Sequence, residues 1–108
     1  MSVVRDYFEK TLPANIEADP DKAASIGAVY QFNITGEDAG TWAVDFTADE
    51  NWVTVGPNAD AQCTVIVSGT DFADMISGKL PGPQAFMMGK LKIEGDMGLA
   101  MKLGNVLG

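Results

Sequence analysis

The sequence predicts an α+β fold in which helical segments flank a small sheet. The two ends of the chain place apolar residues at helical spacing, whereas the middle alternates apolar and polar residues with a period of two. Clusters of glycine, proline and aspartate separate these segments at lengths typical of short helices and strands. The predicted order is helices, a meander of three strands, a fourth strand, helices, a fifth strand and a closing helix.

Two short helices are predicted before the sheet. Residues 2–12 have an amphipathic helical pattern, and Pro13 is expected to end this helix. A second helix is expected over residues 20–24, because Pro20 is favoured in a first turn and Asp19 precedes it. The apolar side of the first helix consists of Val4, Tyr7, Phe8 and Leu12.

Five strands are predicted. The first two alternate strictly between apolar and polar residues, which is typical of strands with one buried face. The fourth is apolar enough to be central, and the fifth carries outward lysines that would protect an open sheet edge. These strands are expected over residues 28–35, 41–48, 52–55, 62–68 and 90–94.

Helical spacing returns after the fourth strand. Thr70 or Asp71 is a candidate N-cap for a helix that Gly78 ends, and a second short helix is expected to reach Met88. A final helix is predicted over residues 97–107, with the aspartate before it as its cap.

The methionines and the final helix form an unusually apolar C-terminal third. Five methionines beyond the initiator fall within 27 residues, and the final helix is apolar over most of its circumference. Methionine adapts to varied apolar shapes, and a surface helix needs an apolar stripe of only about 100°. Three explanations remain open at this point: a ligand pocket, a buried core element filled by methionine, or a face between copies of the chain. The five residues are Met75, Met87, Met88, Met97 and Met101.

The net charge of −8 is distributed unevenly. Residues 1–78 carry three basic and thirteen acidic side chains, whereas residues 79–108 carry four lysines and two acids. The overall sign argues against nucleic acid as a partner and allows at most weak, transient membrane contact. The basic end is suited to an anionic head group or an acidic partner.

The sequence offers few candidates for catalytic residues. The chain contains no histidine, which removes the common Ser-His-Asp and Cys-His arrangements. Asp71 and Asp74 fit a solvated first turn of a helix, and Cys63 has the apolar neighbours of a packed, unreactive thiol. We therefore predict no enzyme activity, no metal and no cofactor.

The length of the chain and its single cysteine limit the number of domains and the cellular location that can be expected. Residues 1–108 are expected to form one domain, and no stretch approaches the roughly 20 apolar residues of a membrane span. The N-terminus has no long apolar segment of the secretory type. A lone cysteine allows no internal disulfide, so a reducing, cytoplasmic location is expected.

The segment over residues 86–103, FMMGKLKIEGDMGLAMKL, resembles the sterol carrier protein type 2 family. The match extends more loosely over the chain, where residues 30–34 and 42–46 look like the first two strands of the family. The chain has no peroxisomal C-terminal signal of the eukaryotic kind and is similar to stand-alone, bacterial-type members. Many members have a glutamine where this chain has Met88, so the resemblance implies a less polar pocket here.

The resemblance implies a five-stranded, mostly antiparallel sheet covered on one face by helices, with an apolar tunnel between the sheet and the C-terminal helices. It implies non-catalytic binding or transfer of a fatty acid, a fatty acyl-CoA, or a sterol- or isoprenoid-like lipid, by a monomer or weak homodimer. The alternative is a homo-oligomeric or partner-binding accessory domain that presents a lipid to a separate enzyme. The expected cavity residues are Phe32, Phe46, Phe72, Met75, Ile76, Phe86, Met87, Met88, Leu91, Ile93, Met97, Leu99, Met101 and Leu103.

Overall fold

A five-stranded sheet organises the computed structural model, which describes residues 3–36, 39–48 and 51–107. The spatial order of the strands is β3-β2-β1-β4-β5, so β3 and β5 are the two edges. β1 and β4 are parallel and the other three neighbouring pairs are antiparallel. This confirms the predicted mostly antiparallel sheet. The strands are β1 (Val29–Thr35), β2 (Gly40–Asp45), β3 (Val53–Val55), β4 (Cys63–Ser68) and β5 (Leu91–Gly95).

Helices pack against the sheet and complete the α+β fold. α4 contacts β4, β1 and α1, whereas α5 packs on β5 and α6 packs on β4, β5 and α3. Among the described residues, no helix combines the length and the apolarity needed to cross a membrane. The helical elements are α1 (Val3–Asp6), a π-helical segment (Tyr7–Thr11), α2 (Leu12–Ala18), α3 (Pro20–Ile26), α4 (Gly69–Ile76), α5 (Gly82–Met87) and α6 (Met97–Leu107).

The register of the strands gathers large apolar side chains on one face of the sheet. Phe32 in β1 lies opposite Trp42 in β2 and Val65 in β4, and Val65 lies opposite Ile93 in β5. Because side chains alternate along a strand, these residues all point toward the helices. We call this side the inner face.

The first predicted helix does not end at Pro13, so that prediction is wrong. α1, the π-helical segment and α2 follow one another without a break over residues 3–18. The Leu12 N–H donates to the Tyr7 carbonyl, five residues back, and Pro13 then occupies the first turn of α2. Proline is favoured at this position because its fixed φ suits the first turn of an α-helix.

Two other predicted element ends differ from the structure because of local side-chain hydrogen bonds. The N-cap of α4 is Ser68, not Thr70 or Asp71, because the Ser68 hydroxyl accepts a hydrogen bond from the Asp71 N–H at 3.1 Å. β2 ends at Asp45, three residues early, where the Asp45 carboxylate accepts from the Thr47 N–H at 2.8 Å and turns the chain.

The remaining predicted ends agree with the structure within a residue or two. The Asp19 carboxylate accepts from the Lys22 N–H and begins α3, which continues to Ile26. The predicted loops after β1 and β2 include residues 37, 38, 49 and 50, which lie outside the described residues.

Candidate functional site

An aromatic stack connects the N-terminal helices to the inner face. The Phe8 ring is nearly parallel to Trp42, with ring centres 4.7 Å apart, and to Phe72 at 5.2 Å. Phe32 contacts both Phe8 and Phe72, at 5.2 Å and 6.1 Å. The side chains of Phe8, Phe32 and Phe72 are fully buried, so this end of the interior is filled by rings.

Predicted cavity residues on the sheet and on α4 lie in this core. Phe72 in α4 and Phe32 in β1 belong to the aromatic stack, and Phe46 meets Tyr30 edge-on at 5.4 Å. Leu91 in β5 belongs to the same buried cluster. The predicted residues that are buried are therefore Phe32, Phe46, Phe72 and Leu91.

A second group of predicted cavity residues is only partly buried. These residues pack against the core but retain some solvent exposure, and they come from α4, β5 and α6. Two of them lie in α4, one lies in β5 and one lies in α6. The group consists of Met75, Ile76, Ile93 and Leu99.

Five further predicted cavity residues lie at the surface. Met87 and Met101 are more than four-fifths exposed. Leu103 lies in α6, beyond the side chains that the structure describes. The exposed members are Phe86, Met87, Met88, Met97 and Met101.

One long-range hydrogen bond ties α6 to the centre of the sheet. The fully buried Tyr30 hydroxyl donates to the Leu99 carbonyl oxygen at 2.5 Å. The Asp96 carboxylate begins the same helix by accepting from the N–H groups of Gly98 and Leu99, at 2.8 Å and 3.3 Å. These bonds fix the first turn of α6 above the inner face.

The titratable groups of the interior are held neutral. Burial, together with the neighbouring Cys63 and Asp96, raises the pKa of Tyr30, and burial raises the pKa of Tyr7. Burial and Asp96 also raise the pKa of the Cys63 thiol, so it remains protonated and a poor nucleophile. Over the described parts of the chain, no three histidine, cysteine or acidic side chains converge as metal ligands would. The interior is thus suited to apolar contact rather than to acid–base chemistry.

Replacing Tyr30 by phenylalanine is expected to lower the free energy of unfolding by about 1 kcal/mol, because the Leu99 carbonyl loses a buried donor. Chemical denaturation measures the loss, and amide hydrogen exchange should show faster opening of α6. Tyr7→Phe is the matched control. The Tyr7 hydroxyl is also buried but has no hydrogen-bond partner among the described residues, so its removal should be neutral or stabilising. Equal losses in both variants would contradict the role assigned to the Tyr30 hydroxyl.

Comparison with known proteins shows the family of the chain. The family model of the SCP-2 sterol transfer family matches residues 8–108. The chain belongs to this family. Membership confirms the resemblance that residues 86–103 carry, and it places the chain among lipid-transfer proteins.

Solved structures of the SCP-2 type share the fold. The sterol carrier protein domain 2 of Helicoverpa armigera is 33% identical with a TM-score of 0.77, covering 94% of this chain and 83% of that one. Sterol Carrier Protein 2 Like 2 of Aedes aegypti is 28% identical with a TM-score of 0.79, and 94% of each chain is covered. Palmitated SCP2L2 of the same mosquito is 32% identical with a TM-score of 0.76, covering 99% of this chain and 95% of that one.

Longer curated proteins contain a related segment. Hydroxysteroid dehydrogenase-like protein 2 of Xenopus laevis is 44% identical over 85 residues, which is 78% of this chain and 20% of that protein. The human protein of the same name is 44% identical over 89 residues, 81% of this chain and 21% of that protein. The chain therefore spans about a fifth of the length of these relatives.

The site includes residues that sequence reasoning did not assign to it. Phe8 contacts the predicted residues Phe32 and Phe72, and Trp42 stacks on Phe8. Together these rings form the aromatic end of the interior. Phe8 could have been found from the sequence, because it falls at helical spacing with the other apolar residues of the first predicted helix. The bond from Tyr30 to Leu99 joins residues 69 positions apart, and nothing local in the sequence indicates it.

Proposed function

We propose that this SCP-2 family chain binds a single-chain lipid between the inner face and helices α4 to α6, without catalysing a reaction. The observation that carries the proposal is a set of partly buried apolar side chains that pack against the core from α4, β5 and α6, namely Met75, Ile76, Ile93 and Leu99. Such side chains can exchange contact with water for contact with an acyl chain. The palmitated relative, 32% identical, supports a fatty-acyl ligand.

The expected affinity follows from the apolar surface that an acyl chain would bury. Each methylene removed from water contributes about 0.8 kcal/mol, so a C16 chain has a gross gain of roughly 12 kcal/mol. Ordering the ligand and the side chains offsets part of this gain. A dissociation constant of about 1 μM requires only about 8 kcal/mol net, so micromolar binding is a reasonable expectation.

Changing Met75 to glutamine is expected to weaken the binding of a fluorescent fatty acid about tenfold, because it introduces a polar amide beside the acyl chain at nearly constant volume. The measurement is a titration with the fluorescent fatty acid, followed by displacement with palmitate. Val55→Thr is the matched control, since Val55 is 78% exposed on β3 at the opposite edge of the sheet. It should bind like the unchanged chain. Absence of any displaceable lipid would refute the proposed function.

A second function is favoured by the longer relatives. Because the chain matches only about a fifth of hydroxysteroid dehydrogenase-like protein 2, the same domain can act as a module that presents a lipid to a separate catalytic unit. Within this proposal the domain is non-catalytic and cytoplasmic, the latter because its lone cysteine suits a reducing compartment. An enzyme that turns over a lipid faster when this chain is added would support the second function.

A further inference from the structure

Two buried side chains at the aromatic end of the interior carry polar atoms without a hydrogen-bond partner. The Tyr7 hydroxyl and the Trp42 indole N–H are both enclosed, and no group among the described residues bonds to either of them. Both residues are only 5% exposed. Buried polar groups nearly always have a partner, because an unmade hydrogen bond costs stability. These two donors therefore require an explanation.

Both side chains contact the same ring. The Trp42 ring stacks on Phe8 with ring centres 4.7 Å apart, and the Tyr7 ring meets Phe8 and Phe72 edge-on at 5.7 Å and 5.6 Å. Tyr7 lies in the π-helical segment and Trp42 lies in β2. Helix and sheet thus each contribute one donor to this region of the core.

The other tyrosine and tryptophan of the chain do have partners. The Tyr30 hydroxyl donates to the Leu99 carbonyl, and the Trp52 indole N–H donates to the Ala48 carbonyl at 2.9 Å. The fold therefore satisfies the same two kinds of donor elsewhere. The unmade hydrogen bonds are confined, among these four side chains, to the surroundings of Phe8.

The chemistry of the two donors calls for a neutral acceptor. An indole N–H can only donate, and burial raises the pKa of the Tyr7 hydroxyl, which therefore keeps its proton. None of the buried residues in the described parts of the chain is charged. An ionised carboxylate would have no counter-charge there, and its burial would be very unfavourable. An uncharged hydroxyl, carbonyl or ester oxygen meets both conditions.

The inner face connects this region to the proposed lipid site. The strand register places Trp42, Phe32, Val65 and Ile93 side by side in one row across four strands. Neighbouring strands are about 4.8 Å apart, so Trp42 and Ile93 are separated by about 14 Å. An extended chain advances roughly 1.2 Å per atom, so a chain of about twelve carbons is long enough to span this row.

We propose that Tyr7 and Trp42 recognise the neutral oxygen of a single-chain lipid, which lies with this oxygen in the core and its tail toward Ile93. The inference rests on the proposed function, since it concerns the head group and the orientation of the same ligand. An ionised fatty acid binds in the opposite direction, with its carboxylate toward water. The two donors then favour long-chain alcohols, ketones and esters over ionised fatty acids of equal length.

The two tryptophans provide an internal comparison in a test with dodecanol. An isotope-labelled chain has two indole N–H signals in its NMR spectrum, of which Trp52 already donates to Ala48 and Trp42 does not. Dodecanol is expected to move the Trp42 signal downfield and to slow its hydrogen exchange, with little change at Trp52. Dodecanoate at about pH 8, where its carboxyl group is ionised, should not do so. An equal shift with both compounds, no shift although dodecanol binds, or a water molecule that stays on the Trp42 N–H when dodecanol is bound would overturn the proposal.

Tyr7→Phe tests the second donor by displacement of the fluorescent fatty acid. One lost hydrogen bond should weaken dodecanol binding about fivefold and leave dodecanoate binding unchanged, while the free chain is as stable as before or more stable. A purely structural hydroxyl would not produce this combination. Tyr30→Phe is the matched control, because its hydroxyl has a partner within the chain and its loss should affect both compounds alike. Equal weakening of both compounds in Tyr7→Phe would contradict the assignment.

The same titrations separate this inference from the proposed function. If fatty acids bind but dodecanol leaves Trp42 unmoved and Tyr7→Phe has no selective effect, the recognition of a neutral oxygen is refuted and the proposed function stands. If neither dodecanol, dodecanoate nor palmitate binds, both are refuted.

Discussion

Replacing Phe8 by alanine is expected to lower the free energy of unfolding by about 3–5 kcal/mol. The Phe8 ring is fully buried between Trp42 and Phe72, and its loss would leave a cavity that neighbouring rings cannot fill. The same change would weaken the packing of the N-terminal helices on the inner face. Because a domain of this size has a total stability of about 5–15 kcal/mol, the variant should be close to unfolding at room temperature.

Denaturant titration followed by circular dichroism and tryptophan fluorescence measures this effect. Phe86→Ala is the matched control, because it removes the same ring from a position that is 44% exposed, and it should cost less than about 1 kcal/mol. Phe8→Leu retains most of the volume and should fall between the two. If Phe8→Ala and Phe86→Ala were equally stable, the aromatic stack would not be the centre of the core.

The order of elements was predictable because each one has its own local pattern. Alternation of apolar and polar residues identified β1 and β2, and the aspartates before α3 and α6 act as the caps that their positions predict. Pro13 misled the sequence reasoning, since the π-helical segment before it lets the helix continue past the proline. No residue pattern in the sequence indicates the π-helical segment.

The candidate site was predictable as a set of elements but not as a set of contacts. Spacing and resemblance directed attention to α4, β5 and α6, and Met75, Ile93 and Leu99 do meet the core there. Sequence patterns distinguish apolar from polar positions but cannot separate an enclosed apolar residue from an exposed one on the same element. Phe72 is completely buried, whereas Met87, equally apolar in the sequence, is 86% exposed. That difference is set by which elements pack over each residue.

Changing Gly95 to alanine is the second substitution with a large expected effect, a loss of about 3 kcal/mol or more in the free energy of unfolding. Gly95 ends β5 with a φ of +97°, a conformation that side chains rarely adopt. A Cβ at this position would overlap the Gln62 carbonyl oxygen, a backbone atom that already accepts the Asp96 N–H at 3.1 Å and is not free to move. The overlap would therefore push the end of β5 away from β4, where Gly95 lies opposite Cys63.

Gly89→Ala provides the matched control for this effect. Gly89 has a similar positive φ of +76°, but a Cβ there would meet no described atom within 4 Å, so only the backbone strain of about 1–2 kcal/mol remains. The excess loss in Gly95→Ala over Gly89→Ala measures the contact with Gln62. Because Asp96 and Leu99 follow directly and anchor α6, displacement of Gly95 should also loosen the bond from Tyr30 and weaken fatty-acid binding. If Gly95→Ala lost stability but bound the fluorescent fatty acid with full affinity, the ligand would not lie between β5 and α6, and the proposed location of the site would be wrong.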